Sequence, residues 1–152
     1  MIPLNKTGKY RQGVFRPKNP KKYVGNTPPV YRSGWELRFF RWCDENVNVI
    51  EWASEAIVIP YVNPVDGKGH RYFTDGVVVL KEPDGIHKYV IEIKPRDQLA
   101  RPEAGKKRNS TIIYENKRYI QNMAKWEAAK KWCDKRNYKF LILTERELGL
   151  NK

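Results

Sequence analysis

Cysteine and histidine are scarce in this sequence, with two of each in 152 residues. Cys43 and Cys133 make no disulfide framework; they suit core positions and a reducing compartment. His70 and His87 are too few for a His/Cys zinc site, so a catalytic metal would need oxygen ligands. No apolar run approaches the ~18 residues of a membrane span. The stretch Met1-Ile2-Pro3-Leu4-Asn5-Lys6 lacks the apolar segment of a secretion signal, so the chain is expected not to be secreted. Acidic residues are outnumbered, 17 against 30 Lys and Arg, for a net charge of +13. That excess must lie largely on the surface, and it argues for a polyanionic partner, with nucleic acid the commonest. What is present is enough for a core: five Trp, nine Tyr and five Phe. Global disorder is thereby excluded, and the length suits one domain.

Residues 1–32 read as a basic, extended N-terminal arm ahead of a domain over residues 33–152. Lys6, Lys9, Arg11, Arg16, Lys18, Lys21 and Lys22 occur there without an acidic residue until Glu36. Pro17, Pro20, Pro28 and Pro29 forbid a long helix. Two readings stand: a solvated tail, or an arm whose cations and interleaved Tyr10, Phe15 and Tyr23 touch a DNA backbone. Ser33-Gly34-Trp35-Glu36 has the form of a capping box. It opens a helix to about Asn46 with Trp35, Phe39, Trp42 and Cys43 on one stripe. Val49–Tyr61 reads as extended, and Asn63–Gly67 as a turn. A basic loop from Pro95 to about Ser110 is expected to be mobile. A helix from Ile112 to Arg136 follows, with Tyr119, Met123, Trp126, Ala129, Lys130 and Cys133 on one stripe. The strand Tyr138–Leu143 comes last, so the order is helix, three strands, helix, strand.

The sharpest signal is a hairpin. Arg71–Leu80 and Lys88–Lys94 flank Glu82-Pro83-Asp84-Gly85, which suits a type I turn. With Glu82 opposite Gly85, the register places Asp75 opposite Glu92 on one face, Cβ atoms about 5 Å apart. Lys94, two residues beyond Glu92, points the same way. Two carboxylates side by side at the end of buried strands repel one another, and a divalent cation would relieve that repulsion.

Thr74-Asp75 followed by Glu92-Ile93-Lys94 resembles the PD-(D/E)xK nuclease motif, with Thr74 replacing the leading proline. The element order matches that family's core. The resemblance implies an α/β, restriction-endonuclease-like fold, a mixed sheet flanked by helices. It implies Asp75, Glu92 and the Ile93 carbonyl as ligands of Mg²⁺, with Mn²⁺ able to substitute. Glu36 would be a further acid on the first helix, and Lys94 the catalytic lysine. The segments Tyr31–Phe39, Trp42–Asn46, Glu51–Glu55, Ile59–Tyr61 and His70–Asp75 are also similar to head-completion nucleases of T-even-type phages. The Ser-x-x-Glu helix ahead of this core resembles TnsA N-terminal endonuclease domains. These resemblances imply an endonuclease hydrolysing phosphodiesters of branched or end-containing DNA during head completion and packaging. Capsid, portal or other head-completion proteins would be partners. The place of action would be the host cytoplasm or the virion, as monomer or homodimer and with no membrane.

Expected DNA contacts are Lys18, Lys21, Lys22, Arg32, Arg96, Lys106, Lys107, Arg108 and Lys117. Glu36 can cap, ligate or do both, since a carboxylate has several lone pairs. Glu55 reads as structural or as a support to the site, with a ligand role open, and Gln121, Tyr114 and Asn116 as solvated helix positions. Two other functions stay open: a transposon-type or Holliday-junction endonuclease, and a non-catalytic basic protein that seals DNA at the capsid vertex.

Overall fold

The computed structural model describes residues 12–149. Lys6, Lys9 and Arg11 of the expected arm lie outside them. The chain runs β1 (Gly13–Val14), β2 (Val30–Tyr31), α1 (Gly34–Glu45), β3 (Val49–Ser54), β4 (Val58–Asn63), β5 (Lys68–Phe73), β6 (Gly76–Glu82), β7 (Gly85–Ile93), α2 (Asn109–Arg136) and β8 (Lys139–Leu143). Short 3-10 turns cover Pro20–Lys22 and Arg96–Leu99.

The central sheet has the order β3-β6-β7-β8. Its inner strands, β6 and β7, are the β-branched runs Gly76–Leu80 and Tyr89–Ile93, suited to a sheet covered on both faces. β3, β6 and β7 pair antiparallel; β8 joins β7 in parallel. A parallel neighbour needs a long crossover, which α2 supplies. Phe39, Phe40 and Cys43 of α1 pack with Val49, Trp52, Val78 and Ile91, flanked by Leu143. Trp126 and Ala129 of α2 pack with Ile59, Tyr61 and Tyr72, flanked by Phe140 and Ile142. Residues 140, 142 and 143 of one strand thus serve two cores on opposite faces. This is the mixed α/β, restriction-endonuclease-like architecture expected from the sequence.

Two expected strands are each divided. Val49–Tyr61 breaks at Glu55, whose φ of 51° is left-handed, an unusual conformation for glutamate. Arg71–Leu80 breaks at the fully buried Thr74, whose N–H and hydroxyl donate to the Ile57 carbonyl at 3.2 and 2.9 Å. The segments so released, β4 and β5, form their own hairpin against α2. α2 starts at Asn109, three residues earlier than expected. Its buried positions are Asn122, Trp126, Ala129 and Cys133, and Lys130 is exposed. On α1 the buried set is Leu37, Phe39, Phe40, Cys43 and Asp44. Trp42, expected in the core, keeps 44% of its surface in solvent because Phe40 takes the inward place.

Residues 12–32 are docked along the domain. Phe15 packs against Phe40 and Trp52, and the Tyr23 ring lies 4.7 Å from Trp52. Asp44, 2% exposed, accepts the N–H groups of Lys18 and Asn19, both at 2.9 Å. Lys22 Nζ donates to the carbonyls of Asn46 (2.6 Å) and Asp44 (3.1 Å). It therefore supplies the cation that the last turn of α1 lacks, a stabilising place for positive charge. Lys22, expected to touch DNA, has its ammonium engaged by these carbonyls. Lys22→Ala is expected to cost about 1–2 kcal/mol in urea unfolding. The slope of log K for DNA against log salt should stay unchanged; a flatter slope would restore Lys22 to the DNA surface.

Candidate active site

The β6–β7 register holds without a bulge from Glu82 opposite Gly85 to Gly76 opposite Ile91. Gly85 makes the tight turn possible with φ of 136°. Beyond Gly76 the ladder continues: the Asp75 N–H donates to the Ile91 carbonyl (2.9 Å), and the Ile93 N–H to Asp75 Oδ2 (2.6 Å). Asp75 and Glu92 therefore share a face at one end of the sheet. Lys94 Nζ stands 3.3 Å from Glu92 Oε1, and the Tyr72 hydroxyl donates to Glu92 Oε2. α1 is held close by Gly76, where a Cβ would come within 2.8 Å of the Phe39 ring. That approach brings Glu36 to a cleft of about 400 Å³ lined by Ser33, Glu36, Asp75, Ile93 and Pro95.

The electrostatics are those of crowded acids. Burial raises the Asp75 carboxyl well above its usual range, and the charges of Glu92 and Glu36 raise it further, opposed by the Ile93 N–H and Lys94. Burial also raises Glu36; the Arg32 N–H and guanidinium oppose it, and Glu55 adds to it. Burial first, then the Glu92 charge, push the Tyr72 phenol far up, so it stays protonated and can donate to Glu92. This is a field of buried negative charge that a cation would neutralise. Among the described residues no three acids, cysteines or histidines are drawn to metal-ligating distance; Glu92 is engaged by Tyr72 and Lys94. The donors at hand are all oxygens: two carboxylates, the Ile93 carbonyl and Glu36. They fit a hard divalent cation, not a soft one.

Glu36 does act as a cap. Its N–H donates to Ser33 Oγ at 3.2 Å, and its Oε2 accepts from the Ser33 hydroxyl and the Arg32 N–H, each at 3.3 Å. Of the expected DNA contacts, Lys21, Lys106, Arg108 and Lys117 are exposed. Others are already paired: Arg32 with Glu55, Lys107 with Glu115 at 2.8 Å, and Lys18 with Glu45 at 3.6 Å. Arg96 is exposed, and its N–H donates to Glu145 at 2.8 Å. Gln121 donates to the Tyr61 hydroxyl at 2.8 Å, so it supports β4. Asn116 donates to the Ile112 carbonyl, and Tyr114 is exposed. His70 and His87 lie against Asp66 and Asp84. Cys43 and Cys133 are buried and free.

Sequence reasoning missed Tyr72 and Lys125. Lys125 lies over the Tyr72 ring at 5.5 Å. Burial, then the charge of Lys94, lower its pKa, while Glu92 and Asp75 oppose the shift. It is thus a second cation at the carboxylate pair. The available signal was a lysine one turn from Ala129 and adjoining Trp126, beside the helix's buried stripe.

A mixed sheet that sets two acids and a lysine on adjoining strands defines a PD-(D/E)xK-type nuclease. Comparison agrees: the family model for the TnsA-like endonuclease N terminal matches residues 46–145, and the chain belongs to that family. The matched segment holds Asp75, Glu92, Lys94 and Lys125 but begins after α1, so Glu36 lies outside it. The chain is also similar to the head completion nuclease of Enterobacteria phage T4. Identity is 41% over 148 residues, covering 90% of this chain and 95% of that protein. It is an endonuclease.

Proposed function

We propose that this endonuclease is metal-dependent and acts on branched or end-containing DNA in the completion of phage heads. The observation that carries the reading is the shared face of Asp75, Glu92 and Lys94 beside a cleft that Glu36 also lines. The similarity to a head completion nuclease supports the setting. Capsid or portal proteins are the partners that this setting implies, for a monomer or a homodimer acting in the host cytoplasm or the virion. No helix among the described residues is long and apolar enough to cross a membrane.

Asp75, Glu92 and the Ile93 carbonyl would hold Mg²⁺, with Glu36 direct or through water, and Mn²⁺ could take its place. When bound, the cation would supply Lewis-acid chemistry, making water a better nucleophile and offsetting charge on the phosphate. Lys94 holds the attacking water against Glu92. Water adds to phosphorus, the bond to the 3′ oxygen breaks, and that oxygen takes a proton, leaving 5′-phosphate and 3′-hydroxyl. Tyr72 fixes the Glu92 carboxylate. Lys125 meets charge that develops on the phosphate oxygens. Lys21, Lys106, Arg108 and Lys117 offer sequence-independent backbone contacts.

The reading is tested by incubating end-labelled linear, flap and four-way-junction DNA with the protein in Mg²⁺ or EDTA. Products in Mg²⁺ alone are expected. Their absence from folded, DNA-binding protein would overturn it and favour a structural seal. Lys125→Ala is expected to lower single-turnover cleavage by about 10–100-fold with an unchanged melting temperature. A rate within twofold of wild type would remove Lys125 from the site.

A further inference from the structure

The β4–β5 hairpin buries one face and leaves the other bare. Ile59, Tyr61 and Tyr72 pack against Trp126 and Ala129. The opposite face carries the cross-strand pairs Val58–Phe73, Pro60–Arg71 and Val62–Gly69. Val58, Val62 and Phe73 keep 37%, 62% and 53% of their surface in solvent. The face has a single charged side chain, Arg71, and its guanidinium stacks over the Phe73 ring at 5.2 Å. Phe73 is two residues from Asp75 in the chain, so their Cα atoms lie within about 7 Å. The residue between them, Thr74, is buried and doubly hydrogen-bonded to Ile57. The exposed ring is therefore fixed in position relative to the catalytic carboxylate.

We propose that Phe73 and Arg71 form a stacking platform for an unpaired nucleotide adjoining the scissile phosphate. This deepens the nuclease reading and rests on it. Paired bases within a duplex have their faces covered; the base at a flap, fork or frayed end does not. An exposed aromatic ring stacks such a base whatever its identity, and the guanidinium that lies over the ring swings aside to take the phosphate. Val58 and Val62 extend the apolar surface under the sugar. The strip's single positive charge matches nucleic acid, and its nearness to Asp75 in the chain places the occupant on the DNA being cut. A second copy would bring two +13 chains together with no opposing charge on this face.

The test uses the full chain in EDTA, where binding is read without cleavage. The probes are a flap DNA carrying 2-aminopurine at its first unpaired position and a fully paired duplex of equal length. Wild type and Phe73→Trp should quench the 2-aminopurine. Phe73→Ala and Phe73→Leu should not, and should bind the flap about tenfold more weakly while duplex affinity changes less than about twofold. Phe73→Leu keeps the apolar contact with Val58, so its loss reports stacking and not folding. Equal weakening on both DNAs, or quenching by the leucine variant, would overturn the platform. So would a change of sedimentation from dimer to monomer, which would assign the strip to a second copy. Metal-dependent cleavage of the flap DNA by wild type separates failure of the platform from failure of the nuclease reading.

Discussion

Asp75→Asn is expected to abolish cleavage, by about a thousandfold or more, while DNA binding is retained or tightened. The side chain is isosteric, so the Asp75 backbone bond to Ile91 and the acceptance from the Ile93 N–H can both persist. What is lost is the negative oxygen that would hold the cation. What is gained is relief from the Glu92 and Glu36 charges, which also lowers repulsion toward phosphate. Stability separates this from a folding defect. An aspartate held above its ordinary range binds more protons folded than unfolded. Its contribution is present below the unfolded pKa of about 4 and is lost as pH rises through the raised value. In EDTA, wild type should therefore lose stability as pH rises from about 4 toward neutral, and Asp75→Asn should lose less. At pH 7 the variant's melting temperature should be the higher, by roughly 2–4 °C per kcal/mol of repulsion removed. Cleavage that survives within tenfold of wild type would remove Asp75 from the reaction. A lower melting temperature would mean that the carboxylates are not in conflict.

The second large effect falls far from the chemistry. Trp52 is 1% exposed and meets Phe40 at 5.2 Å, Phe15 at 6.0 Å and Tyr23 at 4.7 Å between ring centroids. It is the hub where strand β3, helix α1 and residues 12–32 join. Trp52→Ala should cost about 3–5 kcal/mol in urea unfolding, a large part of the roughly 5–15 kcal/mol that a domain has. Because Phe15 and Tyr23 lose their common partner, protease cuts near residues 15–25 should appear before global unfolding. Trp52→Phe should recover most of both effects. A loss below about 1 kcal/mol would show that residues 12–32 do not depend on this hub.

The hairpin register was legible because a two-residue turn with glycine at its end leaves few ways to pair, and no bulge intervenes. Once Glu82 opposed Gly85, Asp75 had to reach Glu92. The Ser33 cap was equally local. The divided strands were not legible: glutamate at 55 gives no sign of a left-handed turn, and Thr74 ends a strand only because Ile57 happens to lie within reach. Trp42 and Phe40 are both aromatic, and which one faces inward is decided by how closely α1 approaches Gly76. Lys125 escaped notice for the same reason. Its charge matters through the face that α2 turns toward β5 and β7, a tertiary fact. Lys22 read as one more cation in a basic run, and only the docked path of residues 12–32 shows it engaged at the end of α1.

The parallel pairing of β8 with β7 bears on when the site is completed during synthesis. Lys94 is anchored through its N–H to the Leu143 carbonyl at 3.0 Å, and Ile93 lies beside Leu143 in the ladder. A ribosome must therefore deliver α2 and then β8 before the second edge of β7 is paired, since a pairing across so long a crossover forms late. A chain that stops short of residue 139 keeps the β6–β7 pairing and every acid of the site but lacks the Leu143 carbonyl that holds the Lys94 N–H. The Lys94 anchor thus arrives only with β8, after the acids are already in place.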